Sequence, residues 1–208
     1  MRLFKRNKRI NIIGAAPGWE DAPHDKGERW GVNNTHIRMK VDLVVDIHDR
    51  SNPTEKWDKD HLNALLLKGI PAYSQGAIKG YPNIKKYPLE KIINRFDSDY
   101  FGSGIDYMVA LAIYKGATEI HIYGVIMMSD TEYAHQKPSV EHWIGIAKGA
   151  GIKVRVHGIH SSLLKTKNNL MYGYHTPQAF VKDLYPEQAA LINSLKGIMK
   201  DAGNPLRK

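Results

Sequence analysis

The chain contains no cysteine. That absence removes disulfide scaffolds, thiolate zinc sites, iron–sulfur clusters and cysteine nucleophiles together. No apolar run approaches the roughly 20 residues of a membrane span. Neither a GxxxxGK[ST] phosphate loop nor the GxGxxG spacing of a dinucleotide fingerprint occurs, and there is no internal repeat or low-complexity linker. The opening, MRLFKRNKRINIIGAAPGW, is basic and then apolar, as a leader peptide would be. Its apolar part is only Ile10–Ala16, interrupted by Asn11 and ended by Pro17-Gly18, so it reads as a buried strand of a cytoplasmic protein.

What is present is ordinary globular composition. At 208 residues, with 42% hydrophobic and 25% charged, a single domain buries roughly 70% of its unfolded surface and needs no covalent or metal staple. Thirty Lys+Arg against 21 Asp+Glu give a formal charge of +9, which favours anionic partners: nucleotides, nucleic acid or an acidic surface. The excess sits at the ends, in Arg2, Lys5, Arg6, Lys8 and Arg9 and in Arg207 and Lys208. If the partner is a nucleic acid, the N-terminal run would track its phosphates; no base-reading motif accompanies it.

Short β-rich runs alternate with stretches of helical spacing. The runs are Ile10–Ala15, Trp30–Asn33, Asp42–His48, Ile70–Ser74, Glu119–Val125 and Ile152–His157. Helices are expected from Pro53 to Gly69, from Pro88 through Phe96, from Ser103 to Gly116 and from Pro138 to Gly149, each opened by a cap or proline. The alternation predicts βαβ units and an α/β, Rossmann-like, mostly parallel sheet with helices on both faces. Residues 161–208 carry no strand signal and read as a loop and helical appendage to a 9–160 sheet core within one domain, 1–208. Leu184, Leu191, Leu195, Ile198 and Met199 in that appendage suit core docking or a homo-oligomer contact. The dispersed Trp19, Trp30, Trp57 and Trp143 read as packing anchors.

In an open parallel sheet, ligands bind beyond the carboxyl ends of the strands, and each chemistry-bearing segment falls at such an end. Gly14-Ala15-Ala16-Pro17-Gly18 follows the first run, and its small residues allow close backbone approach to a ligand. Gly31-Val32-Asn33-Asn34 ends the second; asparagine can both donate to and accept from a base or ribose. Asp46-Ile47-His48-Asp49 ends the third and could bind a metal, hold a base or cap a loop. Phe101-Gly102-Ser103-Gly104-Ile105-Asp106 combines a capping-box pattern with the anion-binding start of a helix. The densest set is Tyr123 to Pro138, where Gly124 is followed by Asp130, Glu132, Tyr133, His135, Gln136 and Lys137.

The series Gly14 to Gly18, Trp30-Gly31-Val32-Asn33, Ser103-Gly104, Glu119-Ile120 to Gly124-Val125, and Glu132-Tyr133 to Gln136, Glu141 and Gly145 resembles one family over residues 9–170. It is similar to the 6-hydroxymethylpterin diphosphokinase-like and motility-accessory-factor proteins, especially bacteriophage members, and more distantly to small bacterial sialyltransferases. A phage-encoded member would work in the host cytoplasm. The resemblance implies a Rossmann-like nucleotide-binding domain. By position it assigns Gly14, Ala15, Ala16, Pro17, Gly18, Asn33, Ser103 and Gly104 to the nucleotide, and Asn34 and Gly124 join them as candidates beside these. In the sialyltransferase branch the chemistry is metal-independent: tyrosines stabilise the departing phosphate and a histidine deprotonates the acceptor. Tyr133 and His135 match these by order, with Gln136, Lys137 and Lys165 toward phosphate or acceptor. Two positions depart from the family. The first loop lacks the usual asparagine or serine, and Ile126 replaces a carboxylate that Asp130 or Glu132 would have to supply.

Three functions follow as expectations. The first is a glycosyltransferase using a nucleotide sugar, with His135 as base and Asp130, Glu132 and Tyr133 in the catalytic set. The second is pyrophosphoryl transfer or nucleotide hydrolysis, with Mg²⁺ held by Asp46, Asp49 and Asp130. The third is nucleotide sequestration without catalysis.

Overall fold

Seven strands, all parallel, form one sheet in the order β5-β4-β3-β2-β1-β6-β7. The strands are β1 (Arg9–Ile13), β2 (Glu28–Val32), β3 (Leu43–Val45), β4 (Ala72–Ser74), β5 (Ile84–Lys86), β6 (Glu119–Tyr123) and β7 (Lys153–Val156). Four helices connect them: α1 (Lys56–Leu67), α2 (Leu89–Phe96), α3 (Gly104–Tyr114) and α4 (Lys137–Gly149). This computed structural model describes residues 8–50, 56–127, 135–166, 170–171, 174–175, 190–191 and 193–195. The chain divides into two compact units, Met1–Leu163 and Leu164–Lys208. In the second, residues 190–191 and 193–195 are helical, and Leu191 and Leu195 are exposed.

The period-2 alternation of the strands sorts the core into two layers. Ile10, Ile12, Trp30, Val32, Leu43, Val45, Ile120 and Ile122 face α2, α3 and α4 in one cluster. Ile13, Val44, Ala72 and Ile84 face Leu62 and Leu65 of α1 in the other. Helices therefore cover both faces, as the sequence pattern predicts. Met108 to Ala112 of α3 are completely buried; a helix apolar all round belongs in the interior. Trp143 of α4 is an anchor as expected: it is buried, donates from Nε1 to the Tyr100 carbonyl at 2.9 Å and stacks on Phe101 at 4.8 Å. That contact fixes the loop that enters α3.

Over β1 and β6 the second face is polar rather than apolar. Asn11 donates to the Lys26 carbonyl at 2.6 Å, and Arg9 donates to the Tyr123 hydroxyl at 3.0 Å. His121 Nδ1 lies 2.8 Å from His157 Nε2, and the His157 ring stacks on Tyr123 at 4.2 Å. The irregular segment between β1 and β2, not a helix, supplies part of this cover.

Three details differ from the sequence reading. β5 is an additional strand, hidden because only Ile84 is buried while Lys85 and Lys86 face solvent; charged edges of this kind discourage pairing with other chains. The third run contributes only Leu43–Val45, because the Asp46 side chain folds back onto the His48 backbone N–H at 3.2 Å. The second run ends at Val32 rather than Asn33, because Asn33–Ile37 forms a 3-10 helix.

Candidate functional site

The strand order reverses at β1: β2 to β5 extend to one side of it and β6 and β7 to the other. At such a reversal the connections leave in opposite directions and open a crevice at the carboxyl ends. A cavity of about 720 Å³ lies there, lined among others by Gly14, Ala15, Ala16, Asn33, His48, Ser103, Gly104, Gly124 and Gln136.

The glycines make this convergence feasible. The Gly14 N–H donates to the Tyr123 carbonyl and the Ala16 N–H to the Gly124 carbonyl, both at 2.9 Å. The loops leaving β1 and β6 are thus stitched to each other. A Cβ on Gly14 would stand 2.3 Å from the Gly124 oxygen, and Gly124 has φ +61° with the Ala16 oxygen 2.6 Å from where its Cβ would be. Asn33 also adopts a left-handed conformation, φ 51°, which asparagine tolerates better than most residues. Its turn leads from β2 into the 3-10 helix at the cavity wall.

The start of α3 is a complete capping box. Ser103 Oγ accepts from the Asp106 N–H at 3.4 Å, and Asp106 Oδ2 accepts from the N–H groups of Ser103 at 2.9 Å and Gly102 at 2.8 Å. Ser139 Oγ of α4 adds a 2.7 Å donor to the same oxygen. Burial pushes the Asp106 carboxyl up, and the hydrogen bonds from Ser139, Gly102 and Ser103 offset only part of that. The N–H groups of Gly104 and Ile105, the first two of the helix, have no acceptor within it, and both residues line the cavity. Together with the helix dipole they favour an anion.

Asp46, at the end of β3, is clamped from three sides. His48 Nδ1 is 2.6 Å from Oδ1, while Arg50 Nε donates to Oδ2 at 3.2 Å and His61 Nε2 lies 3.1 Å from Oδ2. Burial alone would raise this carboxyl; the contacts with His61, His48 and Arg50 outweigh it and hold the group well below the usual carboxylate range. His61 Nδ1 in turn lies 2.8 Å from His36 Nε2. A carboxylate with both oxygens committed in this way is a poor metal ligand, and among the described residues no three acidic or histidine side chains are grouped to hold a cation.

Of the residues expected at the site, the cavity brings together Gly14, Ala15, Ala16, Asn33, Ser103, Gly104, Gly124 and Gln136. Pro17, Gly18, Asn34, Asp49 and His135 are not among its described lining. Lys137 is not either; it pairs with Glu141 at 3.7 Å. Lys165 belongs to the second unit. Asp130, Glu132 and Tyr133 lie outside the described residues. The lining also includes Ile47 and Phe101, from two of the segments the sequence marks out, and Tyr107, which it does not. Tyr107 was within reach of it, because it stands one helical turn beyond Ser103.

No family model matches the chain, and no curated protein does. Among the described residues no helix is long and apolar enough to cross a membrane. Solved structures of sialyltransferases share the fold. CstII from Campylobacter jejuni, in complex with the substrate analogue CMP-3FNeuAc, superposes with a TM-score of 0.50 at 15% identity, covering 72% of this chain and 79% of its own. An alpha-2,3/8-sialyltransferase CstII variant gives a TM-score of 0.51 at 15% identity over 72% and 81% of the two chains. CST-II in complex with a trisaccharide acceptor and CMP gives 0.50 at 14% identity over 72% and 80%. At such identities the likeness is one of fold: the chain has the Rossmann-like α/β architecture found in these sialyltransferases.

Proposed function

We propose that the protein is a nucleotide-binding transferase, a glycosyltransferase that uses a nucleotide-sugar donor by metal-independent general-base chemistry. The observation that carries this reading is the convergence of four strand-end loops and the capped start of α3 on one cavity at the strand-order reversal. It is supported by a fold shared with sialyltransferases whose structures contain CMP or a CMP-linked analogue. The Gly104 and Ile105 N–H groups would take the phosphate, and Asn33 the base or ribose. The loop Gly14–Ala16 would form the floor. Tyr133, with Lys137, would stabilise the leaving phosphate. Asp130, Glu132 and Tyr133 would complete the catalytic set, with His135 the sequence's candidate for the base and Gln136 for phosphate or acceptor. The Mg²⁺-dependent alternative would draw on Asp46, Asp49 and Asp130, and the commitment of Asp46 to Arg50, His61 and His48 disfavours it.

The test is calorimetric titration with CMP, UMP, GMP and AMP, followed by turnover of the matching nucleotide sugars in chelator. One nucleotide is expected to bind and to stabilise the fold by about 2.7 kcal/mol at a hundredfold excess over its Kd. Asn33→Ala should weaken that binding about tenfold, the loss of one good hydrogen bond. Absence of binding by every nucleotide sinks the reading, and turnover abolished by chelator returns the choice to the Mg²⁺ alternative.

A further inference from the structure

One histidine opens onto the cavity while its ring is held from below by a buried carboxylate. His48 lines the cavity and its imidazole is more than half exposed, whereas Asp46 is 3% exposed. His48 Nδ1 lies 2.6 Å from Asp46 Oδ1. We propose that His48, oriented by Asp46, is the proton acceptor of this cavity. The proposal rests on the nucleotide-sugar reading for the identity of the reacting atoms, but the pairing of His48 with Asp46 does not.

The reasoning is geometric. An ionised carboxylate can only accept, so the His48 proton sits on Nδ1 and donates to Asp46. That fixes the tautomer and leaves the lone pair on Nε2. Among the described residues no other side chain bonds to the His48 ring. Asp46 is itself immobilised through its second oxygen by Arg50 and His61, so it orients the ring and stabilises the imidazolium without taking the proton. His135 is exposed and stands outside the described lining. In the transfer step the acceptor hydroxyl oxygen bonds to the anomeric carbon of the donor. The bond from that carbon to the phosphate oxygen breaks, and its electron pair leaves with the nucleotide. The hydroxyl proton passes to His48 Nε2, and from the imidazolium to water after product release. His48 would then be a catalytic residue and Asp46 a positioning residue.

The titratable and charged groups around His48 are Asp46 and Asp49 on its own segment, Arg50 and His61 on Asp46, His36 behind His61, and Tyr107 in the cavity lining. The first measurement needs no substrate. Diethyl pyrocarbonate acylates an unprotonated imidazole nitrogen, and peptide mass spectrometry of the full chain at neutral pH gives a rate for each histidine. His48 should react several-fold faster than the exposed His160, and Asp46→Asn should slow His48 without changing His160. Saturating CMP should protect His48. With a CMP-sugar as donor, His48→Ala should lower kcat about 10² to 10⁴-fold while donor KM stays within about threefold. Asp46→Asn should lower kcat while donor KM stays within about threefold. The assignment is overturned if His48 reacts no faster than His160, if Asp46→Asn leaves its rate unchanged, or if His48→Ala turns over like the parent. Fast, Asp46-dependent modification that no nucleotide protects against sinks the donor reading and leaves the proton-accepting pair in place.

Discussion

Two glycines decide whether the cavity floor forms. A methyl group on Gly14 meets the Gly124 carbonyl oxygen at 2.3 Å, and the backbone of both residues is already hydrogen-bonded across the loops. Neither loop can yield without breaking that stitch, so Gly14→Ala should destabilise the fold by about 1–3 kcal/mol and weaken nucleotide binding with it. Gly145 provides the control. It lies within α4 with open space around its missing Cβ, so Gly145→Ala should stabilise by up to about 1 kcal/mol. Urea midpoints of the two variants should move in opposite directions; movement of both in the same direction would contradict the packing account. The sequence indicates that a glycine turn follows the first strand. It cannot show that this turn closes on Gly124, because that pairing depends on β1 lying beside β6. His61 was hidden for the same reason: it reads as one polar position on an amphipathic helix until α1 is laid under β3.

Among the elements, α3 has the clearest local code. Its serine cap, its Asp106 three residues later and its apolar interior were all legible, and the structure reproduces the cap with both reciprocal bonds. Ser103→Ala should cost about 1 kcal/mol. Asp106→Ala should cost more, about 2–3 kcal/mol, because the Gly102 and Ser103 N–H groups and the Ser139 hydroxyl lose their shared acceptor. Thermal melts of both variants test that order, and an equal loss would mean that the link to α4 contributes nothing. β5 was illegible because a three-residue edge strand with one buried side chain carries too little periodicity. The segment after β3 was partly legible. Its acid and imidazole were visible as a pair, but their roles depend on Arg50 and His61 being brought to Asp46.

For the molecule as a whole, acid should be destabilising well before carboxylates titrate. His36 is 1% exposed; burial, with the neighbouring charges of His61 and Lys68, lowers it to about 4. His121 and His157 are lowered as well, burial again being the main cause. Above pH 6.5 neither state holds these protons and nothing is lost. As pH falls from about 6.5 toward about 4, the unfolded chain takes up protons that the folded one refuses. Stability then declines at up to about 1.4 kcal/mol per pH unit for His36 alone. Below about pH 4, loss of the Asp46 charge adds to the decline, because its folded carboxyl titrates lower than an unfolded one. Urea unfolding at pH 7 and pH 5 should show the first part of this fall, and His36→Gln should flatten it. A stability that stays level between those two pH values would contradict it.

The position of β1 has a further consequence, for the order in which the protein can be made. Its neighbour on one side follows within a few tens of residues, but on the other side the Lys8 N–H reaches Thr118 Oγ1 across 110 residues of chain. A nascent chain at the usual 5–20 residues per second therefore carries β1, with its Ile10, Ile12 and Ile13 destined for the core, with one edge bare for several seconds. During that interval no ligand could hasten folding, since the pocket's second wall is still inside the ribosome. The same exposed edge makes synthesis, rather than the finished fold, the stage at which this protein most needs a chaperone.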